Sequence, residues 1–482
     1  MANKLLSLLR PKRADFILFA ILTCSLCLLF YPEYSTDSYV IAANGVKEYS
    51  EVAFNSGRAV SALFFFVVGA LCSSFYFLYY VSFILSLVCA TLSVKLLAKE
   101  LERFGVGYSY VISALIVLNP LCLEYFLFAE KGMFFLGILF TVIAFKLFCR
   151  FNRERLYALP LCALFVGLTA FIYQPLCALF VPLVLLKICL GQRDTASIFK
   201  DTAFAALAYG FGLLLDVLFL AIFSVDSRME SFNLSNLAHA FSFGGLWQSA
   251  LIYLGFIVAS LLLVLFFGYR VGYSYKSREL RALWLKCLFI SFGTLCAVLM
   301  PFLLVATDEI WFPFRIMYPL GALVGVLAYL IKYELFPSFS FKKRVGVAVI
   351  CVFFALEVIF LEVLLVGRII NNSTDHSLCR QIGEEISAYE ERTGIKITKI
   401  SFYYDKNITH RNPWVTKLGD SNVRAHSKAW SDLNSINTVL GTDYEKSPNK
   451  STYSAHFGSM DWDEYSPDQL IFDGDTLHLC VY

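Results

Sequence analysis

Polar segments between apolar runs carry the residues of this chain that could do chemistry. Residues 31–60, YPEYSTDSYVIAANGVKEYSEVAFNSGRAV, separate two apolar runs and contain several carboxylates and one arginine. A carboxylate held near a hydroxyl can act as a general base, and Arg or Lys side chains can hold a phosphate and stabilise it as a leaving group. This set of residue types favours group transfer that needs both acceptor activation and phosphate departure.

The composition is that of a membrane protein. Of the 482 residues, 58% are hydrophobic and 16% are charged, against roughly 45–50% apolar residues in soluble domains. Apolar runs recur over the first three quarters of the chain, and runs of about 20 residues can cross a hydrocarbon core as helices. The net charge of +3 is small and the basic residues are sorted into loops, which excludes nucleic acid as the partner.

Basic loops orient the apolar runs, because cytoplasmic loops carry an excess of Lys and Arg. The pattern predicts a polytopic α-helical protein of about eleven transmembrane helices. Its N-terminus is expected in the cytoplasm, and residues 32–76 form a first outer loop with a juxtamembrane helix. The predicted spans are residues 16–31, 77–97, 108–118, 133–147, 159–172, 176–190, 203–223, 247–267, 285–306, 317–331 and 345–367.

The outer segments of this topology collect many ionisable residues on one side of the membrane. They are Glu33, Asp37, Glu48, Glu51, Arg58, Glu124, Glu130, Lys131, Asp308, Glu309 and Arg315. Charges at a membrane boundary are costly to desolvate and tend to face a cavity, so the cluster predicts a site at the outer face. On these physical grounds Lys131 is a candidate phosphate ligand. For each residue alone, the alternative is an ordinary solvated loop charge.

The composition changes at Arg368 to charged, Asn- and Ser-rich sequence. We expect residues 1–367 to form a transmembrane catalytic domain and residues 368–482 a small soluble α/β domain outside the membrane. Within the latter, SLCRQIGEEISAYEERTG predicts a helix ended by Gly394, and KITKISFYY and LIFDGDTLHLCVY predict strands. Cys379 and Cys480 either pair or stay free thiols. The spacing of Cys and His indicates no metal site.

Several phrases, in their order along the chain, resemble the GtrII-type glucosyltransferases, membrane enzymes of the GT-C class that decorate O-antigen and related surface glycans. These phrases are TDSY with the following SGRAVSALFF, then NPLCLEYFLFAEKGMFF, FIYQPLCALF, FRIMYPLGAL and, in the tail, VRAHSKAWSDLNSINTVLG. Each phrase is short, and their order carries the resemblance. It implies a GT-C-like fold for residues 1–367.

The resemblance also implies roles for individual residues. Asp37 lies where the family has its first-loop catalytic acid and is the candidate base. Members of the family often show two adjacent acids there, whereas Thr36 precedes Asp37 in this chain, so Glu33 is a possible second acid. Five further residues match recurring polar positions of the family, namely Arg58, Glu124, Tyr173, Gln174 and Arg315. We assign Glu124 as another possible second acid, Arg58 and Arg315 as candidate ligands of a lipid phosphate, and Tyr173 and Gln174 as candidate substrate-binding residues.

Simpler structural roles compete with these assignments. Tyr173 and Gln174 precede Pro175, and the three residues together could do no more than end one helix and open the next. Arg315 could extend to lipid headgroups at the membrane boundary. Glu124 could cap a helix or pair locally with Lys131.

The predicted function is that of an inverting glycosyltransferase of the bacterial cytoplasmic membrane. It would move a hexose, with glucose expected, from a polyprenyl-phosphate donor such as undecaprenyl-phosphate glucose to a surface glycan such as O-antigen. The extracytoplasmic face lacks nucleotide sugars, and the chain has no Walker or Rossmann fingerprint. Both facts are consistent with a donor carried on a lipid. No cofactor is predicted, and the expected partners are the donor, the acceptor glycan, the lipid bilayer, and a flippase and a polyprenyl-phosphate glucose synthase of the same pathway.

Two other functions compete with this prediction. A polysaccharide polymerase or ligase would use a pyrophosphate-linked oligosaccharide, so donor specificity separates it from the first function. A flippase or transporter of lipid-linked sugars would place charged residues deep in the membrane and would show inverted repeats. The main intramembrane acids are Asp216, Glu357 and Glu362, and no repeat is visible, which makes transport the weaker of the two.

Overall fold

The computed structural model is mainly helical, with a small β-sheet near the C-terminal end. It describes residues 13–106, 108–151, 154–190, 195–223, 278–299, 314–330, 343–405, 422–462 and 464–481. The α-helices are α1 Arg13–Ser25, α2 Thr36–Asn44, α3 Tyr49–Asn55, α4 Ala59–Leu71, α5 Phe75–Arg103, α6 Ser109–Val117, α7 Leu123–Phe126, α8 Lys131–Arg150, α9 Ala158–Ala170, α10 Phe180–Leu190, α11 Thr195–Phe223, α12 Arg278–Leu299, α13 Phe314–Leu330, α14 Lys343–Thr393, α15 Asp432–Leu440 and α16 Ser451–Phe457. Short 3₁₀ helices cover Cys27–Phe30, Pro120–Cys122, Gln174–Leu179, Ala425–Ser427 and Pro467–Gln469. The strands are β1 Lys399–Tyr404, β2 Glu445–Lys446, β3 Leu470–Asp473 and β4 Thr476–Val481.

Three of the described helices are long and apolar enough to cross a membrane, namely Phe75–Arg103, Lys131–Arg150 and Ser197–Phe223. They contain the predicted spans 77–97, 133–147 and 203–223. These apolar helices indicate a membrane protein, whereas the total of eleven spans stays a prediction. The predicted span 247–267 lies outside the described residues.

The first predicted outer loop contains three helices, α2 to α4. Helix α4 has 13 residues, or about 20 Å at 1.5 Å per residue, which is too short to cross a hydrocarbon core of about 30 Å. Its side chains Leu63, Phe66 and Leu71 are nevertheless exposed on the surface of the protein. A short helix with an apolar outer face therefore occupies the place predicted for the juxtamembrane helix.

Helices α5 and α8 run side by side in the same direction at the centre of the apolar core. Gly132 permits the close approach at their beginnings, since a Cβ atom there would lie 2.6 Å from the carbonyl oxygen of Ser82. The backbone N–H of Gly132 donates a hydrogen bond to Ser82 Oγ at 2.8 Å. This packing brings the residues that precede α8 next to the first loop.

The C-terminal part contains helices packed on a four-stranded sheet in the order β2-β1-β4-β3. Strand β1 is parallel to β2 and β4, and β3 is antiparallel to β4. Helix α14 ends before Gly394, whose φ of 72° is left-handed. Strands β1, β3 and β4 lie in the phrases that predicted them, whereas β2 lies outside both phrases. Because α14 runs without interruption across residues 367 and 368, the domain division there stays a prediction. Cys379 and Cys480 are both free and buried.

Candidate active site

Helix α2 holds Asp37 in its first turn. Ser35 caps the helix, with its hydroxyl accepting from the backbone N–H of Ser38 at 3.2 Å, and a carboxylate in the first turn is favoured by the helix dipole. The Asp37 side chain is half-buried, and within the described ranges it forms no hydrogen bond or ion pair. This leaves its carboxylate available to a substrate hydroxyl.

Glu130 faces the same region from the turn before α8. It is 7% exposed, and its Oε2 atom is buried without a hydrogen-bond partner. Burial and the negative charge of Asp37 raise the pKa of Glu130, while the positive charges of Arg58 and Arg315 oppose that rise. Two carboxylates and two guanidinium groups therefore share one electrostatic environment.

Arg58 lies at the start of α4, directly after Gly57, whose φ is 77°. The guanidinium carbon lies 5.4 Å from the centre of the Tyr173 ring, a cation–π contact. Beside it is a cavity of about 20 Å³, lined by Arg58, Glu130, Tyr49 and other residues, which is room for about one water molecule. Arg58 has no carboxylate partner in the part of the chain that the structure describes, so its charge is not neutralised by an ion pair there.

The Tyr49 phenol is affected by the same charges as Glu130. Burial raises the pKa of the Tyr49 phenol, the charge of Asp37 raises it further, the charge of Glu130 adds to this, and Arg58 opposes the rise. The charges of Asp37 and Arg58 thus each shift the pKa of both Glu130 and Tyr49. Arg58 lines the cavity together with Glu130 and Tyr49, and the charge of Asp37 acts on the last two.

Glu124 and Arg315 form a buried ion pair behind this cavity. The guanidinium Nη1 of Arg315 donates to Glu124 Oε1 at 2.7 Å, and the backbone N–H of Arg315 donates to Oε2 at 2.6 Å. The side chain of Glu124 is fully buried and that of Arg315 is 14% exposed. The arginine also lies 5.0 Å from the ring centre of Phe128. Glu124 therefore positions Arg315 rather than standing free as an acid.

Tyr173 lies between the two arginines. It precedes the 3₁₀ helix Gln174–Leu179, which Pro175 opens, so the simpler structural role expected for this phrase is also present. Arg315 hydrogen-bonds the Tyr173 hydroxyl, and burial raises the pKa of that hydroxyl. Gln174 Nε2 donates to Asp216 Oδ2 of α11 at 2.8 Å. Tyr173 therefore contacts both arginines, and Gln174 links it to the next helix.

Glu33 and Lys131 belong to a second buried polar cluster next to the first. Both carboxylate oxygens of Glu33 are buried without a hydrogen-bond partner, and burial raises its pKa to about 7 against the opposing charge of Arg368. Lys131 is fully buried, and its ammonium lies 3.3 Å from the centre of the Tyr79 ring with no hydrogen-bond partner. Phosphate binding by Lys131 would require the surrounding side chains to move, and its role stays a prediction.

The chain matches one known family over more than half of its length. A family model described as glucosyl transferase GtrII matches residues 26–327. The chain belongs to the GtrII glucosyltransferase family. Membership makes the GtrII protein a glycosyltransferase and confirms the resemblance of its phrases to that family. A search of curated proteins and a search of solved structures return no match.

The matched region of this GtrII chain contains all eight of the residues predicted for the site. Of the predicted residues, Arg58 lines the cavity, and Tyr173 contacts both Arg58 and Arg315. The charge of Asp37 acts on Glu130 and Tyr49, which line the same cavity. Asp308 and Glu309 lie outside the described residues. Among the described side chains, no three His, Cys, Asp or Glu lie together as metal ligands would, and independence of metal stays a prediction.

Sequence reasoning gave no role to Glu130 or Tyr49 of the GtrII protein. The sequence position of Glu130 could have indicated a role in the site, because it is an acid just before a predicted span and beside a lysine. Nothing in the sequence distinguishes Tyr49 from the other Tyr residues, of which the chain has 27 in total. Its position in the site is visible only from its neighbours in space.

Proposed function

We propose that this GtrII protein is an inverting glucosyltransferase that moves glucose from a polyprenyl-phosphate donor in the outer leaflet to a surface glycan. The observation that carries the proposal is that the charges of Asp37 and Arg58 both act on Glu130 and Tyr49 at one cavity of a glucosyltransferase. Neither Asp37 nor Arg58 forms an ion pair within the described ranges. A base and a phosphate ligand are the two groups that such a transfer needs.

In the proposed reaction Asp37 takes the proton of an acceptor hydroxyl. The freed oxygen attacks the anomeric carbon on the face opposite the phosphate, and a new carbon–oxygen bond forms as the bond from that carbon to the phosphate oxygen breaks. The electron pair of the broken bond goes to the phosphate, which Arg58 stabilises as its negative charge grows. One displacement inverts the configuration at the anomeric carbon.

The two arginines have different roles in this proposal. The guanidinium of Arg315 already pairs with Glu124 at 2.7 Å and contacts Tyr173, so Arg315 shapes the wall and adds positive charge. Arg58 is half-buried and contacts the face of Tyr173. We therefore assign the direct phosphate contact to Arg58. The raised pKa of Glu130 favours a protonated carboxyl, which would not repel the phosphate.

The position of Arg58 also supports a donor carried on a lipid. It begins α4, and the outer face of that helix exposes Leu63, Phe66, Val67 and Leu71. A phosphate at Arg58 would let the attached polyprenyl chain run along this apolar face. The proposal includes a GT-C-like arrangement, a site on the extracytoplasmic side, and a synthase and a flippase that supply the donor.

The test is transfer by the purified protein from radiolabelled polyprenyl-phosphate glucose to a surface glycan stripped of glucose. We expect wild type and Glu51→Gln to transfer and Asp37→Asn to lose transfer by several orders of magnitude. Glu51 is the matched control because it is an exposed acid of the same loop. Full activity of Asp37→Asn would exclude Asp37 as the base. Transfer only from a pyrophosphate-linked oligosaccharide would identify a polymerase or ligase instead.

A further inference from the structure

A charged pocket lies where helices α5 and α8 end. Its volume is about 300 Å³, and its lining consists of Lys99, Glu100, Glu102, Arg103, Lys146 and Arg150. Pockets that hold small ligands begin at about this size. Helix α8 has 20 residues, so about 30 Å separates this pocket from Glu130 and the candidate active site at the other end of the helix.

The parallel packing of the two helices creates an unfavourable concentration of like charge. Lys99 and Arg103 are four residues apart on α5, as are Lys146 and Arg150 on α8, and like charges at this spacing destabilise a helix. The two pairs then line the same pocket. The helix dipole favours cations near the C-terminal end of a helix, and cytoplasmic loops carry an excess of Lys and Arg. These two effects explain why each helix ends in cations, but not why the four cations line one pocket.

The carboxylates of the pocket are too few to neutralise all four of its cations. Arg103 uses its guanidinium on Glu100, with hydrogen bonds of 2.9 and 3.1 Å, and Glu102 accepts a hydrogen bond from the Ser109 hydroxyl at 3.2 Å. Four cations face two carboxylates, and the two helix ends contribute about half a negative charge each. The pocket keeps a net positive charge.

Two cations of α8 have no partner in the described part of the chain. Lys146 is 9% exposed, and its ammonium makes no hydrogen bond or ion pair there. Arg150 has a buried Nε–H group with no acceptor. A buried cation without a counter-charge is costly. An anion that entered the pocket would supply a counter-charge to both residues, which line it.

We propose that this pocket binds a phosphate group. Phosphate oxygens accept from ammonium and guanidinium donors with charge-assisted hydrogen bonds, and Lys146 and Arg150 supply such donors from one helix face. The pocket lies at the end of two candidate spans, so the phosphate can belong to an anionic phospholipid headgroup or to a soluble phosphate compound. Both sources present the same chemistry to Lys146.

The first experiment places the full-length protein in lipid nanodiscs of phosphatidylcholine with or without phosphatidylglycerol and counts retained lipids by native mass spectrometry. A second arm adds inorganic phosphate, with chloride at equal ionic strength as the reference, to protein in detergent and follows the apparent Tm. Retention of phosphatidylglycerol above phosphatidylcholine identifies a lipid source. A rise in apparent Tm with phosphate but not chloride, without that lipid preference, identifies a soluble source.

Variants connect the response to the pocket. We expect Lys146→Gln and Arg150→Gln each to weaken the binding on the order of tenfold, as the loss of a charged hydrogen bond predicts. Arg392→Gln is the control, since Arg392 is an exposed cation in the last turn of α14, far along the chain from the pocket. The wild type alone already tests the proposal if a variant fails to fold. Equal retention of both lipids together with no effect of phosphate would overturn it, as would binding that neither pocket variant weakens.

Discussion

Glu124 binds Arg315 through both of its carboxylate oxygens, although 191 residues separate the two in the chain. The Tyr125 hydroxyl donates to the carbonyl oxygen of Arg315 at 2.6 Å and adds a third contact at the same place. These bonds join the segment before α8 to the first turn of α13. The wall of the candidate active site is therefore fixed by contacts between distant parts of the chain.

Removal of one partner of this pair should destabilise the protein. Glu124→Gln leaves the charge of Arg315 buried without its counter-ion, and such a change costs about 3–5 kcal/mol. The apparent Tm of the purified protein measures the effect. The double variant Glu124→Gln, Arg315→Met should recover part of the loss, because it removes the unpaired charge. The control is Asp473→Asn, which breaks an exposed pair with Lys450 and should lower the apparent Tm far less, because water screens an exposed pair.

Loss of the Arg58 guanidinium should weaken the binding of the donor phosphate. Arg58→Gln is expected to raise the Kd for polyprenyl phosphate on the order of tenfold or more, because one charge-assisted hydrogen bond is lost. Equilibrium binding of radiolabelled polyprenyl phosphate gives this value without turnover. Lys47→Gln, which removes an exposed cation of the same loop, should bind as wild type does. An unchanged Kd in Arg58→Gln would assign the phosphate to other residues.

Stability should fall as pH rises from 5 to 8, and Glu33 should account for part of the fall. Burial raises the folded-state pKa of Glu33 to about 7 from an ordinary value of 4.5, so the folded state binds the proton more tightly than the unfolded state. The stabilisation is fully present below pH 4.5 and is lost as pH rises through 7, a difference of about 2–3 kcal/mol. Apparent Tm measured across this range should decline less in Glu33→Gln than in wild type. Parallel curves for the two proteins would contradict the buried, protonated state of Glu33.

The C-terminal part should influence transfer through the first loop. The Asn372 side chain donates to the carbonyl oxygen of Tyr34 at 2.9 Å and accepts from the backbone N–H of Tyr34 at 2.7 Å. Asn372→Ala leaves both backbone groups unsatisfied, which costs about 1–3 kcal/mol each, and should loosen the segment that leads into Asp37. We expect kcat to fall several-fold in the transfer assay while donor binding is retained. Asn44→Ala is the control, because among the described residues Asn44 bonds only Val40 of its own turn. Equal kcat in the two variants would exclude this coupling.

Much of the local structure could be predicted because its cause is local. The apolar runs at residues 77–97 and 133–147 lie in helices α5 and α8, since a continuous apolar stretch of that length satisfies its backbone hydrogen bonds within one helix. Gly394 ends α14 because glycine adopts the left-handed conformation at low cost. The family was also visible in the order of short phrases, and the match over residues 26–327 confirms it.

The contacts of the candidate site could not be predicted in the same way. The sequence predicts Lys131 to be an outer-loop cation, yet its side chain is buried against Tyr79. The sequence also allows a local pair of Glu124 with Lys131, yet Glu124 forms its ion pair with Arg315. Hydrophobic periodicity reports the surroundings of one element and does not say which elements face each other. A charged residue beside an apolar run can therefore lie in water or in the core.

By itself, the sequence determined that this chain is a membrane protein, where its apolar helices α5, α8 and α11 lie, and to which family it belongs. Only the tertiary structure decided that Glu130 and Arg58 line one cavity within reach of the charge of Asp37, and that Lys146 and Arg150 meet the cations of α5 at one pocket. For the pocket, the reason is the parallel packing of α5 and α8, which a glycine at position 132 permits. Side chains about fifty residues apart become neighbours through that contact, and their charges acquire a shared environment that no local pattern encodes.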